Sequence, residues 1–498
     1  MPDRLRAPTV ATLFDHRARL RPDGAALFDA RGRHDAGTLR RRVQRVAGLL
    51  RDRGVGPGDR VALLAGRRGE SLEVALAALW LGAIVAVQDE SLSPEQLDRC
   101  LQITEARVIV GPRRQAGRVL HRLEPVVAFG DRYEAELHDV EPVEAPLRVE
   151  PDDIALLGFT SPTRGAPLAA AISHGALLAR DASWRATHAL SDDGDFVLVA
   201  PVAHVAGLEP VLGTWVCGGA VHLLDEVRPD AVMAVLHEHR VGWLPVPPGM
   251  TRQLVESLAR SVRPVRGVEL CGQLYDAVPD ELASDLARLL DAPFVDSFAS
   301  PELGLPTLSA SRRPAGAWRP TGKRAAARVE WQLCAADGSR CGPGEAGELC
   351  LRSATLFSGY WGDVEATAEA FRGGWYHTGH RFRIGPDGGL LHTPREVYQV
   401  RSGEMRYRPE ELEAVLLAME GVVDAAVVSR PDEVWGSVPV AVVATEDPRV
   451  SREGVLAAAR RWPAHQRPRD VVLVRPGDIP RSASGLLQHR RLEAMLSA

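Results

Sequence analysis

The stretch GFTSPTRGAPLAAAISHGAL, Gly158 to Leu177, gathers glycine, hydroxyl and proline residues directly after the apolar run IALLGF. Small and hydroxyl residues at a strand end suit a phosphate-gripping turn, because bare backbone N–H groups and side-chain O–H groups can wrap an anion there. The stretch holds no lysine, however, and Pro162 has no N–H to donate and stiffens φ. Of the 60 basic residues only Lys323 is lysine, which a general preference for arginine explains. Six cysteines, Cys100, Cys217, Cys271, Cys334, Cys341 and Cys350, are scattered without a CxxC pair. They read as reduced thiols of a cytoplasmic protein, with no metal-ligand spacing.

The elements that must carry such a loop are legible around it. At 498 residues the chain exceeds what one core usually supports, so two or more domains are expected. Helical patterns alternate with short apolar runs: AGTLRRRVQRVAGLLRDRGV precedes RVALLAG, SLEVALAALWLGAIVAVQ reads as buried helix into strand, and EQLDRCLQITEARVIVG repeats that order. This alternation predicts an α/β fold with parallel sheets covered by helices. From about Gly316 the texture changes to short strands and Gly/Pro turns, a β-rich subdomain. A compact α+β tail follows, giving a large domain over 1–395 and a small, mobile one over 396–498.

Composition narrows the function classes. A net charge of −5 provides no electrostatic footprint for nucleic acid or an anionic membrane. No apolar run approaches the roughly 20 residues of a membrane span, and the first residues lack the apolar centre of a signal peptide.

Separated motifs in order make the chain resemble the adenylate-forming superfamily of acyl- and aryl-CoA synthetases, peptide-synthetase adenylation domains and luciferases. The phosphate-loop register runs Thr160, Ser161, Pro162, Thr163, Arg164, Gly165, Ala166, Pro167, Leu168, then Ser173-His174. PVAHVAGLEP, ELCGQLYD, SFASPELG, GYWGDVEATAEAFRGGWYHTGH and IPRSASGLLQHRRL occupy the positions of later motifs. The resemblance implies an acyl pocket bordered by His204, Cys271, Gly272 and Phe298, and places Glu302 where the family binds Mg²⁺. It also places His380 at the ribose-binding aspartate and Arg395 before the hinge. Leu168 and Leu486 stand where two functional lysines belong.

Those departures shape the expected function. An arginine preference would turn lysine into arginine, not leucine, so charge at these two positions is not retained. Losing a preorganised donor costs on the order of 10²–10³ in rate, and several are missing. The expectation is therefore a repurposed member of a biosynthetic pathway that needs no cofactor or metal. It would receive an acyl group already activated as a CoA or carrier-protein thioester, with an acyl or peptidyl carrier protein as partner. Transfer or hydrolysis would follow, with His204, Glu302 or His380 supplying acid–base help and Cys271 as a nominal nucleophile or buried thiol. Two alternatives stand beside it: an ATP- and Mg²⁺-dependent acid–thiol ligase in which Arg164 or Arg395 replaces a lysine, and a non-catalytic acyl- or carrier-binding scaffold.

Overall fold

The computed structural model describes residues 8–497 apart from 90–91, 93, 117–124, 161–166, 274–279, 306, 313–321, 336, 343, 394–399, 403–404, 408, 433–435, 463–465 and 482–486. The chain divides into two compact units, Met1–His392 and Thr393–Ala498.

The first unit is built on two large sheets. Continuous apolar strands such as Arg60–Ala65 and Ile84–Asp89 suit a parallel sheet buried on both faces. They pair in parallel with each other and with Val108–Pro112 and Ile154–Phe159. The helix Gly69–Trp80 beside them is buried all round, as a helix with no polar stripe must be. Its one deeply buried charge, Glu73, is met by Arg31 at 2.9 Å and Arg42 at 2.8 Å. The seven-stranded sheet ends in two antiparallel additions: Ala169–Ser173 pairs with Ile154–Phe159, and Gly359–Tyr360 pairs with Ala169–Ser173.

The nine-stranded sheet contains the parallel strands Val221–Leu223, Asp195–Leu198, Val241–Pro245, Val268–Gln273 and Phe294–Phe298 as neighbours in that order. A four-stranded sheet, Glu330–Cys334, Ala346–Arg352, Tyr376–Ile384 and Leu390–Thr393, is the β-rich part read from the sequence.

The second unit holds a three-stranded sheet, Asp424–Asp432, Gly436–Ala444 and Asp470–Val474. The helix Glu410–Leu417 packs its Leu412 and Leu416 into a core with Val427, Ala441 and Val443. Among the described residues no helix is long and apolar enough to cross a membrane. The α/β class and the division into a large N-terminal and a small C-terminal part agree with the expectation from sequence.

Candidate active site

Two antiparallel strands, Ile154–Phe159 and Ala169–Ser173, carry the opening loop as a hairpin. Two bonds close its mouth: the Thr160 N–H donates to the Leu168 carbonyl at 3.0 Å, and the Leu168 N–H donates to the Thr160 side-chain Oγ1 at 3.4 Å. Ser161, Pro162, Thr163, Arg164 and Gly165 lie outside the described residues, as do Arg395 and Leu486. After the hairpin, Ser173 caps the helix His174–His188 by accepting the Ala176 N–H at 3.1 Å. His174 is fully buried, and burial lowers its pKa to about 4, so it packs as a neutral ring.

Glu302 sits on the turn after the strand Phe294–Phe298 and is 8% exposed. The Tyr360 hydroxyl donates to its Oε1 at 3.1 Å, and Tyr360 belongs to the short strand paired with the loop hairpin. Burial first, then the neighbouring Glu302, pushes the Tyr360 hydroxyl's pKa up, so it stays a proton donor. The Phe357 N–H fixes the Glu302 carbonyl at 3.0 Å. Gly158, in the first hairpin strand, allows close approach here, since a Cβ on it would lie 3.2 Å from Pro301. The hairpin, the Glu302 turn and Tyr360 therefore converge.

One buried arginine locks that convergence. Arg180, 3% exposed, donates to the carbonyls of Pro301 at 2.9 Å and Thr355 at 2.8 Å and to Glu209 Oε1 at 2.7 Å. Gly304, at φ +72°, must be glycine because a Cβ would fall 2.4 Å from the Arg180 chain. Sequence reading passed over this pair, yet a signal exists. Arg180 falls on the same helical stripe as Ala176, Leu177 and Trp184, and a charge on a buried stripe requires a partner.

His380, on the strand Tyr376–Ile384, packs edge-on against Phe298 with ring centroids 4.9 Å apart, so these two sequence candidates do meet. Phe382 meets the same Phe298 ring at 5.3 Å. The turn before His380 is held by Glu348: its Oε1 accepts the Gly379 N–H at 2.8 Å, and its Oε2 lies 3.0 Å from His377 Nδ1. Arg372 also donates to that Oε2 at 2.8 Å. Glu348 is a further residue that the sequence reading did not single out.

His204 lies in the tight turn that leads into the helix Leu208–Cys217. Its Nδ1 accepts the Ala206 N–H at 3.1 Å, which assigns the ring proton to Nε2. Burial lowers its pKa to about 4, so the ring is neutral near pH 7. Gly207 makes the turn possible, because a Cβ there would meet the Pro201 carbonyl at 2.1 Å.

Cys271, read as a pocket residue, has its thiol sealed in a core with Leu244, Leu286 and Phe294. The S–H donates to the Pro293 carbonyl at 3.5 Å, and burial pushes its pKa up to about 12. Strand alternation puts Cys271 on the helix-covered face, where it has no thiolate to offer a substrate. Gly272 follows it in the strand, pressed against the Val295 backbone. Lys323 is bound up in an ion pair with Asp296.

Residues 14–361 match the AMP-binding enzyme family, and residues 411–486 match the AMP-binding enzyme C-terminal domain. The chain belongs to the AMP-binding enzyme family. Among its relatives, a feruloyl-CoA synthase of Amycolatopsis is 30% identical over 477 residues, covering 94% of this chain and 95% of that one. A 2-succinylbenzoate–CoA ligase of Oceanobacillus iheyensis is 25% identical over 485 residues, covering 96% and 97%. Among solved structures, an anthranilate CoA ligase in complex with anthranoyl-AMP has a TM-score of 0.83 at 20% identity, covering 99% and 98%.

These findings overturn the expectation of ATP-independent acyl transfer or hydrolysis. Family members matched over nearly their whole length are CoA synthases and ligases. The physical reason lies in what Leu168, His380 and Leu486 can decide. Loss of a charged transition-state donor lowers a rate; it does not by itself turn one reaction into another.

Proposed function

We propose that the chain is an ATP-dependent ligase joining an aromatic carboxylic acid to coenzyme A. The observation that carries this reading is the 30% identity to the feruloyl-CoA synthase across almost the full length of both chains. Further support comes from 2-succinylbenzoate, indoleacetate and 4-coumarate CoA ligases, each named for an aromatic acid and each using CoA as the acceptor thiol. In this reading a carrier protein is not required.

The reaction proceeds in two steps. The acid's carboxylate oxygen bonds to the α-phosphorus of ATP and pyrophosphate leaves; the CoA sulfur then bonds to the acyl carbon and AMP leaves. His204, a neutral ring, would border the acyl pocket without adding charge. Phe298, edge-packed by His380, supplies a rigid aromatic surface. The hairpin mouth at Thr160 and Leu168 would hold the phosphate loop by bonds that do not depend on a lysine. Arg164 is the cation that this loop still offers. Glu302 would hold Mg²⁺: its carboxylate is a hard oxygen donor, and Tyr360 occupies only part of its lone-pair capacity. The ion would neutralise triphosphate charge.

The test is incubation with a panel of cinnamic, benzoic and indoleacetic acids, ATP, Mg²⁺ and CoA. The expected products are an acyl-CoA and AMP in equal amounts. No acid-dependent AMP with any panel member, from folded protein, would refute the reading.

A further inference from the structure

Away from the Glu302 site, two imidazoles and a carboxylate from three different elements meet at the start of the strand Asp195–Leu198. Asp195 opens that strand, His222 is the middle residue of Val221–Leu223, and His239 follows the helix Pro229–Glu238 as its C-terminal cap. Their ligand atoms all lie within 4.8 Å of one another. His222 Nε2 is 2.8 Å from Asp195 Oδ2, and His239 Nδ1 is 3.7 Å from the same oxygen. The other carboxylate oxygen accepts the Ala220 N–H at 3.0 Å, which fixes the direction in which Oδ2 points.

The spacing is informative. Two ligands about 2.0–2.1 Å from one tetrahedral ion stand roughly 3.4 Å apart. The 2.8 Å contact is a hydrogen bond between His222 and Asp195, whereas the 3.7 Å separation lies near the ligand spacing and is too long for a hydrogen bond. Phe28 holds both rings in place, stacking on His222 at 4.5 Å and meeting His239 edge-on at 4.7 Å. The side chains of His222, Asp195 and His239 are 3%, 17% and 28% exposed, so the cluster opens to solvent at His239.

The charge around the cluster also suits a cation. The buried carboxylates Glu73 and Glu209 are each paired with arginine, whereas the ion-pair partners of Asp195 among the described residues are the two histidines.

We propose that Asp195, His222 and His239 form a binding site for a divalent transition ion of the zinc class, with two nitrogens, one oxygen and a water as ligands. Imidazole with a single carboxylate selects Zn²⁺ and its neighbours over Mg²⁺ or Ca²⁺. The ion would tie the end of the helix Pro229–Glu238 to two strands of the nine-stranded sheet. It lies at the opposite end of Asp195–Leu198 from the turn that carries His204. The inference is independent of the ligase reading.

The test uses untagged, chelator-treated full-length protein titrated with Zn²⁺ by calorimetry and with Co²⁺ by absorption. The expected result is one saturable equivalent, a Co²⁺ spectrum without a thiolate charge-transfer band, and a thermal midpoint raised by Zn²⁺. In His239→Gln and in Asp195→Asn, affinity should fall at least tenfold and the thermal shift should vanish. His239 caps a partly exposed helix end, so its variant should keep the metal-free thermal midpoint. Three results would overturn the site: no saturable binding, binding unchanged in both variants, or a thiolate band lost in Cys350→Ser. The last would place the ion at Glu348, Cys350 and His377, whose ligand atoms also cluster.

Discussion

Replacing Arg180 with leucine removes the side chain that holds both backbone segments flanking Glu302. Arg180 and Glu209 are 3% and 8% exposed and 2.7 Å apart, so the variant leaves a carboxylate buried without its cation. Removing one member of a buried pair costs about 3–5 kcal/mol. Burial already pushes the Glu209 pKa up against the pull of Arg180, so the variant's carboxyl takes up a proton and the loss stays within that range. In Arg180→Leu/Glu209→Leu the buried charge is gone. What remains is the loss of two donors to the carbonyls of Pro301 and Thr355, about 2–3 kcal/mol in all. The double variant should therefore be more stable than the single one, by about 1–2 kcal/mol. Urea unfolding followed by tryptophan fluorescence reads the difference, since Trp184 lies on the same helix. An Arg180→Leu variant within 1 kcal/mol of the native protein, or a double variant less stable than the single, would refute the reasoning.

Three further outcomes are expected. Tyr360→Phe removes the hydroxyl that holds Glu302 and should lower kcat about tenfold with less than about 1 kcal/mol lost in stability, read by AMP release and thermal melting. His174, lowered by burial from 6.5 to about 4, is neutral when folded and takes up its proton more readily when unfolded. It therefore stabilises fully above pH 6.5 and loses about 3 kcal/mol as pH falls to 4; thermal midpoints across that window should drop, less steeply in His174→Gln. Leu168→Lys returns a cation to the hairpin mouth and should raise acid-dependent pyrophosphate release several-fold; an unchanged rate would mean that position no longer faces phosphate.

Much of the fold could be read in the sequence where burial is written as pattern. The continuous apolar strand Arg60–Ala65 and the fully buried helix Gly69–Trp80 have few structural alternatives. Glu302 and His380 were singled out because they lie in ordered motifs. The Arg180 anchor was not, because its bonds reach carbonyls 121 and 175 residues away, and backbone acceptors leave no mark on sequence. Of the two readings left open for Cys271, nucleophile or buried thiol, its burial supports the second: motif position says which segment borders a pocket, while strand parity decides which side chain faces it. The leucines at 168 and 486 indicated a loss of charge, and the step from lost charge to a new reaction exceeded what a rate argument supports.

The most direct measurement is single-turnover formation of an aromatic acyl adenylate, followed by mass spectrometry of protein mixed with ATP, Mg²⁺ and the acid panel before and after CoA is added. Ligation predicts an acid-dependent acyl-AMP that converts to acyl-CoA with release of AMP. An unchanged acid and intact ATP, from protein that melts cooperatively, would contradict it.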